Sequence, residues 1–207
     1  MTQSISVTLS KTITYVSGKV NDVAAEFTYV GDGVWSTTAD KAENGRYAIS
    51  ITATDSQGVS CSYYTVKYYG VYLITDRTQA DLENDTAKAY IDFEDLNRVE
   101  GALQFISDRL TEAGYSHSIT PRAEWTMEDI RTQADMDRLR DNINALRTAF
   151  SGLYPSTPTT PESITYSSID QANDIEQILA DLDELETNME LDYRYSAEPI
   201  SGEEITL

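Results

Sequence analysis

The side chains that most often carry catalysis are scarce in this chain. It has one histidine, His117, and one cysteine, Cys61. His117 follows Gly114 in a segment without helical periodicity, and no nucleophile motif accompanies it. A catalytic triad or a histidine-based zinc site is therefore not expected, and we interpret His117 as an ordinary solvated histidine. A single thiol cannot form an internal disulfide, which agrees with a protein that matures in a cytoplasm.

Acidic residues are abundant, but their spacing favours neither metal binding nor glycoside hydrolysis. The run Asp181-Leu-Asp-Glu-Leu-Glu186 lacks the alternating Asp/Asn and the central glycine of an EF-hand loop. It is typical of the polar face of a helix beside Leu182 and Leu185. Glu124 is the one carboxylate with a neighbouring indole, Trp125, and that is a weak indication of a raised pKa. Gly-rich phosphate loops and G-x-S-x-G elbows are missing. We expect no catalytic residue, no metal and no cofactor.

Aromatic side chains form the candidate binding surface. The tyrosines cluster at Tyr63, Tyr64, Tyr68, Tyr69 and Tyr72, so alternation must turn some of them outward. Outward tyrosines, together with Trp35, could stack on sugars or anchor a protein interface, because such rings bury area at little entropic cost. The alternative, which we prefer, is that they cover the edge of a sheet or dock the next domain.

Two hydrophobic periodicities divide the chain near residue 90. Before it, apolar and polar residues alternate, as in Tyr47, Ile49, Ile51 and Ala53; after it, apolar residues recur at 3-4 spacing. Period two indicates half-buried strands and period 3.5 a helical seam. The predicted fold class is α+β, with an N-terminal β-sandwich followed by a C-terminal helical bundle. The predicted units are a sandwich at 1–72, a connector at 73–91, helices within 92–195 and an extended tail at 196–207.

Turn signals divide the N-terminal part into six or seven short strands. Gly31-Asp32-Gly33 predicts a turn, and Asn44-Gly45 and Asp55-Ser-Gln-Gly58 each predict a hairpin. Many short strands with frequent turns are typical of a β-sandwich. The stretch Tyr47–Gly70 resembles the last two strands of bacterial and phage immunoglobulin-like domains.

Three helices are predicted, at about 93–113, 132–150 and 168–192. Asp92 is a plausible N-cap of the first, the second starts at Thr126 or Thr132, and the third follows Ser167 or Ser168. The Pro-rich residues 154–161 predict an extended spacer between the last two helices.

Each helix carries an apolar seam that faces either the other helices or copies of the chain. We expect the seams to bring copies together as a homo-oligomer, for which a trimer is our prediction. The candidate assembly seam consists of Leu96, Val99, Leu103, Ile106, Leu110, Met136, Leu139, Ile143, Leu146, Phe150, Ile175, Ile178, Leu182, Leu185 and Met189.

The formal net charge of −20 is unevenly distributed. Residues 1–70 hold five Lys/Arg and six Asp/Glu, whereas the rest of the chain holds ten and 29. Because phosphate binding needs a basic footprint, nucleic acid and anionic membrane are not expected as partners. No apolar run approaches the ~18 residues of a membrane span, so membrane insertion is not expected either.

Several segments together resemble a family of tail-associated structural proteins of phages and prophages of Gram-positive gut bacteria. The residues that carry the resemblance are Tyr72-Leu-Ile-Thr-Asp-Arg-Thr-Gln-Ala-Asp81, Asp95-Leu-Asn-Arg-Val-Glu100, Trp125-Thr-Met-Glu-Asp-Ile130 with Thr132, Gln171-Ala-Asn-Asp-Ile-Glu176, Tyr193-Arg-Tyr-Ser196 and Ser201-Gly-Glu203. Such proteins combine an immunoglobulin-like module with a helical Leu-Asn-Arg domain.

The resemblance implies a virion component without enzymatic activity, made in the bacterial host cytoplasm. Its expected partners are other virion proteins, and the β-module would face the particle or a host-surface glycan or protein. The alternative function is a glycan-binding adhesion module of a bacterial cell surface, which would use the exposed tyrosines and Trp35.

Overall fold

The computed structural model describes residues 1–150 and 154–197, with side chains up to Met189. Its N-terminal part contains two antiparallel sheets, and long helices follow, so the α+β class is confirmed. The seven strands are β1 (Thr2–Thr8), β2 (Ile13–Val20), β3 (Val23–Glu26), β4 (Thr28–Gly31), β5 (Val34–Asp40), β6 (Arg46–Asp55) and β7 (Ser60–Tyr68).

The strands form one sheet of order β1-β5-β4 and another of order β3-β2-β6-β7. Asp55–Gly58 closes the predicted hairpin between β6 and β7, in which Ile51 lies opposite Tyr63. The hairpin predicted at Asn44-Gly45 is wrong, because β5 and β6 belong to different sheets. This tight turn, with Gly45 at φ 59°, instead carries the chain from one sheet to the other.

The two sheets bury a common core. Alternation turns every second residue of β1 and β6 inward, as predicted for Ile5 and Val7 on β1 and for Ile49 and Ile51 on β6. Trp35 of β5 also belongs to this core and is only 6 % exposed.

Four helices follow the sheets within the described residues. They are α1 (Gln79–Glu83), α2 (Phe93–Glu112), α3 (Gln133–Ala149) and α4 (Ile169–Ala197), and a 3-10 turn lies at Ala87–Ala89. A capping box at Asp92 and Asp95 starts α2, and Gly114 follows its end at φ 87°, both as predicted. The predicted extended tail, 196–207, is wrong for Ser196 and Ala197, which belong to α4; the rest of it lies outside the described residues.

The structure decides which of the two predicted start residues, Thr126 or Thr132, begins α3. Thr132 caps α3, since it accepts a hydrogen bond from the Asp135 N–H while Asp135 accepts from the Thr132 N–H. Thr126 makes similar bonds to Asp129, at 2.8 Å from its N–H and 2.9 Å from its hydroxyl, but they close an isolated turn. Ser168 performs the capping role for α4, where its Oγ accepts from the Gln171 N–H at 3.1 Å.

All three long helices run in the same direction. Arg98 and Arg109 lie in order along α2, and they meet Glu176 and Glu186, which lie in the same order along α4. Near the start of α3, Arg138 reaches Glu100 near the start of α2. The N-terminal part of α2 packs on β7, so this helix begins beside the sheets.

Extended segments return the chain between these parallel helices. Residues 115–126 run back along α2, so that His117 lies beside Ser107 and Trp125 beside Asn97. The Pro-rich residues 154–161 are not extended throughout as predicted, because residues 154–157 form a turn in which the Thr157 N–H donates to the Tyr154 carbonyl oxygen at 3.0 Å. The residues after this turn pack beside α3 rather than separating two helices. There the Pro158 carbonyl accepts from Arg147 at 2.7 Å.

The helical half wraps β7, which ends its sheet. Val66 of β7 is fully buried, and Tyr64 packs edge-on against Phe93 of α2 with ring centroids 6.2 Å apart. At Gly101 the helix approaches so closely that an added Cβ would lie 2.8 Å from the Tyr68 carbonyl oxygen. The two halves therefore share an intimate, buried contact.

Candidate functional site

A buried cluster of charges, here called the charge centre, joins the connector to α2 and α4. It consists of Arg77, Asp95, Arg98 and Glu176. The side chains of Arg77 and Glu176 are 0 % and 1 % exposed, and their Nη2 and Oε1 atoms are 2.7 Å apart. Two cations and two carboxylates balance, so the centre carries no net formal charge.

Glu176 accepts hydrogen bonds from three residues, Ile74, Arg77 and Arg98. Its Oε2 accepts from the Ile74 N–H at 2.6 Å and from Arg98, and its Oε1 accepts from Arg77. Asn173, one turn earlier on α4, binds the backbone of Arg77 in both directions, at 3.1 and 2.9 Å. With both carboxylate oxygens occupied, Glu176 is suited to holding segments together rather than to taking a proton from a substrate.

Burial governs the electrostatics of the charge centre. Desolvation raises the pKa of Asp95, while the neighbouring Arg98 guanidinium opposes that shift. The remaining donors of Arg77 bind the Lys88 and Ile74 carbonyl oxygens at 3.0 and 2.6 Å. A buried charge is tolerated only when paired and hydrogen-bonded in this way.

A second buried carboxylate lies one turn further along α2. Glu100 is fully buried, and its Oε1 and Oε2 accept from Arg138 of α3 at 2.5 and 2.8 Å. The Arg122 N–H donates to the same carboxylate at 2.7 Å. Hydrogen bonding to Glu100 raises the pKa of Arg138. The pair thereby ties α3 and the returning segment to α2.

The segment after Arg122 lies against both sheets. Glu124 accepts from Lys67 of β7 at 2.5 Å and from the Thr8 N–H of β1 at 3.3 Å. The Thr65 hydroxyl of β7 donates to the Trp125 carbonyl at 2.9 Å. Glu124 therefore serves as a partner for the Lys67 ammonium group.

The candidate aromatic surface is largely covered by the chain itself. Trp35 lies in the core, so its predicted role on an exposed surface is wrong, because its β5 position faces inward. The Tyr69 ring packs edge-on against Tyr47 at 5.6 Å, and Tyr72 lies against Gly45.

The other three tyrosines of this surface lie along β7. Tyr63 and Tyr68 are half-buried, and desolvation raises the pKa of Tyr63 to about 12. Tyr64, at 41 % exposed, is the one most open to solvent. The tyrosines thus cover the sheet edge and contact the helical half.

His117 is not the free, solvated side chain that its position predicted. Its Nε2 lies 2.7 Å from the Ser107 Oγ, and its Nδ1 lies 3.1 Å from the Tyr115 carbonyl oxygen. Because the carbonyl can only accept, Nδ1 donates to it, while Nε2 and the Ser107 hydroxyl share the second hydrogen bond. Ser107 is only 6 % exposed on α2, so the pair fastens the returning segment to the helix.

The acidic run at Asp181–Glu186 is also less exposed than predicted. Asp181 is 7 % exposed and accepts from the Thr157 hydroxyl, while Glu186 is 6 % exposed and pairs with Arg109. These two residues lie at the border of the helical core rather than on a solvated face. Among the described residues, no group of three or more His, Cys, Asp or Glu side chains is placed to hold a metal ion.

The candidate assembly seam lies inside one chain. Of its residues, those from Leu96 to Leu182 are buried in a single core, and Leu185 and Met189 pack on that core. The helices thus cover one another's seams, and association of copies through these residues is not available. The predicted trimer therefore has no support from the candidate assembly seam and stays a prediction.

Comparisons with other proteins add nothing to this description: no family model, curated protein or solved structure matches the chain. None of the described helices has the length and hydrophobicity to cross a membrane. The sequence patterns did not predict the charge centre, although its residues lie in the family-like segments. The sequence did contain one signal for it: two charged residues, Arg98 and Glu176, lie next to apolar seam positions of α2 and α4.

Proposed function

We propose that the protein is a non-enzymatic structural component of a phage virion, associated with the tail. The observation that supports this proposal is where the residues of the charge centre lie in the sequence. Arg77, Asp95 with Arg98, and Glu176 come from three of the separate segments on which the phage resemblance depends, and they meet in one buried cluster. The family-like residues are therefore those that fix the architecture, as expected of a building block.

The N-terminal half is proposed to be an immunoglobulin-like sandwich. Its strand orders support this, since β1-β5-β4 corresponds to strands B, E and D, and β3-β2-β6-β7 to strands C′, C, F and G. Strand A has no counterpart, and the segment that contains Glu124 runs beside β1 and β7 where that strand would lie.

The helical half is proposed to be a rigid support that presents this sandwich. Its parallel helices and their shared core leave the sheets at one end of the molecule, where they can contact the particle or the host surface. A glycan-binding adhesin is the alternative, and the burial of Trp35 and the packing of the tyrosines favour it less.

Immunogold labelling of phage particles with antibodies against the full chain tests the proposal. Particles are taken from the bacterial strain that encodes the chain, and labelling at the tail is the expected result. Particles that lack the label while the lysate contains the protein would overturn the virion assignment. Binding of the full chain on a glycan array, without particle labelling, would favour the adhesin.

A further inference from the structure

The sheet edges differ between the two sides of the β half. On one side, the Thr8 N–H of β1 is bound by Glu124, and Val66 of β7 is buried by the helical half. On the other side, no described segment pairs with the outer edge of β3 or β4. Neither strand contains the lysine or proline that commonly protects an edge, and Val23 is 70 % exposed.

Backbone geometry identifies which groups of β3 face outward. Asn21 and Asp22 both have positive φ, 48° and 65°, as in the two-residue type I′ turn of a hairpin. Such a turn closes on a hydrogen-bonded pair, here Val20 with Val23, and the pattern then alternates. Ala24 and Glu26 consequently direct their N–H and C=O groups away from β2, toward the open edge.

A second copy of β3 fits this edge in one favourable register. An antiparallel pair related by a two-fold axis must match residues of the same face and use the outward groups. This requirement is met when Ala25 lies opposite Ala25 of the second copy and Ala24 opposite Glu26. The two other registers that use these groups place Asp22 opposite Glu26, or Glu26 opposite Glu26, of the second copy, and each sets like charges against each other.

Charge complementarity selects the first register. Lys19 lies beside Ala24 within the sheet, on the outer face, and both Lys19 and Glu26 are exposed. In that register Glu26 of one copy faces Lys19 of the other across the Ala24 methyl group, about 10 Å apart at the Cα atoms. Both side chains are long enough to meet over that span. Neither has an ion pair among the described residues.

We propose that two copies of the chain associate through β3, antiparallel, in the register that centres on Ala25. Two Glu26–Lys19 pairs then flank the contact, and Val23 is covered. The charge distribution supports a second copy as the occupant, since residues 1–70 are nearly neutral and the acidic helices stay apart. The association is independent of the virion assignment.

Sedimentation equilibrium of the full chain with charge variants tests the pairing. Wild type is expected at twice the 23.1 kDa monomer mass at high concentration. Lys19→Glu and Glu26→Lys should each weaken association about tenfold or more, and the double exchange should restore it, because each ion pair is re-formed with reversed sign. Unchanged circular-dichroism melting of each variant shows that the fold is intact.

Cysteine cross-linking tests the register itself. In a Cys61→Ser background, Ala25→Cys should form a disulfide between copies, because opposed residues of a non-hydrogen-bonded pair lie about 4.5 Å apart at Cα. Thr52→Cys, exposed on β6, is the matched control. A chain that stays monomeric and cross-links no faster at position 25 than at position 52 overturns the proposal and leaves the edge to a different protein.

Discussion

The side-chain amide of Asn97 binds both polar groups of the Trp125 backbone. The Trp125 N–H donates to Oδ1 at 2.7 Å, and Nδ2 donates to the Trp125 carbonyl oxygen at 2.9 Å. Trp125 belongs to no helix or strand, yet it is 1 % exposed, so its peptide groups need partners away from water. One amide on α2 supplies what a neighbouring strand supplies elsewhere.

Asn97→Ala should destabilise the protein by ~1–3 kcal/mol, because it leaves the buried Trp125 N–H without its partner. Asn97→Asp keeps the acceptor but loses the donor, and it places a charge in a buried position. Urea unfolding measures both variants, with the exposed Asn144 of α3 changed to Ala as the control. Equal urea midpoints for Asn97→Ala and Asn144→Ala would contradict this role for Asn97.

Glu176→Ala should cost about 3–5 kcal/mol, because two buried guanidinium groups then lose their shared carboxylate. The matched control is Asp141→Ala, which removes a side chain that is 67 % exposed and pairs with Arg140. Exposed pairs contribute ~0–1 kcal/mol, so this change should be small. Thermal unfolding of both variants gives the comparison, and similar losses would show that the charge centre contributes no more than a surface pair.

Thr132→Ala should lower the free energy of unfolding by ~1 kcal/mol, because Thr132 caps α3, whereas Thr126→Ala should cost less. Hydrogen bonding from Thr132 lowers the pKa of Asp135. A lowered carboxyl pKa stabilises the fold above the unfolded value of ~3.9, and that stabilisation is lost as the pH falls. The difference between wild type and Thr132→Ala should therefore shrink in acid. A difference that is constant from neutral pH to pH ~3 would contradict the capping role.

The Tyr63 hydroxyl should ionise at a higher pH than that of a solvent-exposed tyrosine. Burial raises its pKa to about 12, with the Glu124 carboxylate adding to the shift. The neutral ring stabilises the fold fully below the unfolded pKa of ~10, and this contribution is lost as the pH rises toward the folded value. Absorbance titration of wild type and Tyr63→Phe isolates the residue. A difference curve centred at the unfolded value would show that Tyr63 is solvated in the folded chain.

Local signals predicted the helix ends and several turns well. Asp92 with Asp95 and Gly114 mark the ends of α2, because capping depends on bonds within a few residues. The same locality made Thr126 and Thr132 indistinguishable, since both can bond the aspartate three residues on. Which of them starts a helix depends on packing: Met136 and Leu139 of α3 lie in the core, whereas Met127 and Ile130 are exposed.

Long-range features were not predictable from spacing. Whether Asn44-Gly45 joins two strands of one sheet or of different sheets depends on pairing between strands that are distant in sequence. The direction of the helices relative to one another depends on the path of the returning segments. The burial of Arg77 and Glu176 was not predicted, because a hydrophobic pattern cannot show that a charge is neutralised by a partner about 100 residues away.

The sequence separation within the charge centre has a consequence for synthesis on the ribosome. Arg77 and Arg98 emerge long before Glu176, the acceptor that they share on α4. At about 5–20 residues per second, the connector waits several seconds for that acceptor. During this interval the arginines remain hydrated and the sheets can pair first. Locking of the connector onto α2 and α4 is therefore expected to be a late step in the maturation of the nascent chain, measurable as late protease resistance at residues 73–91.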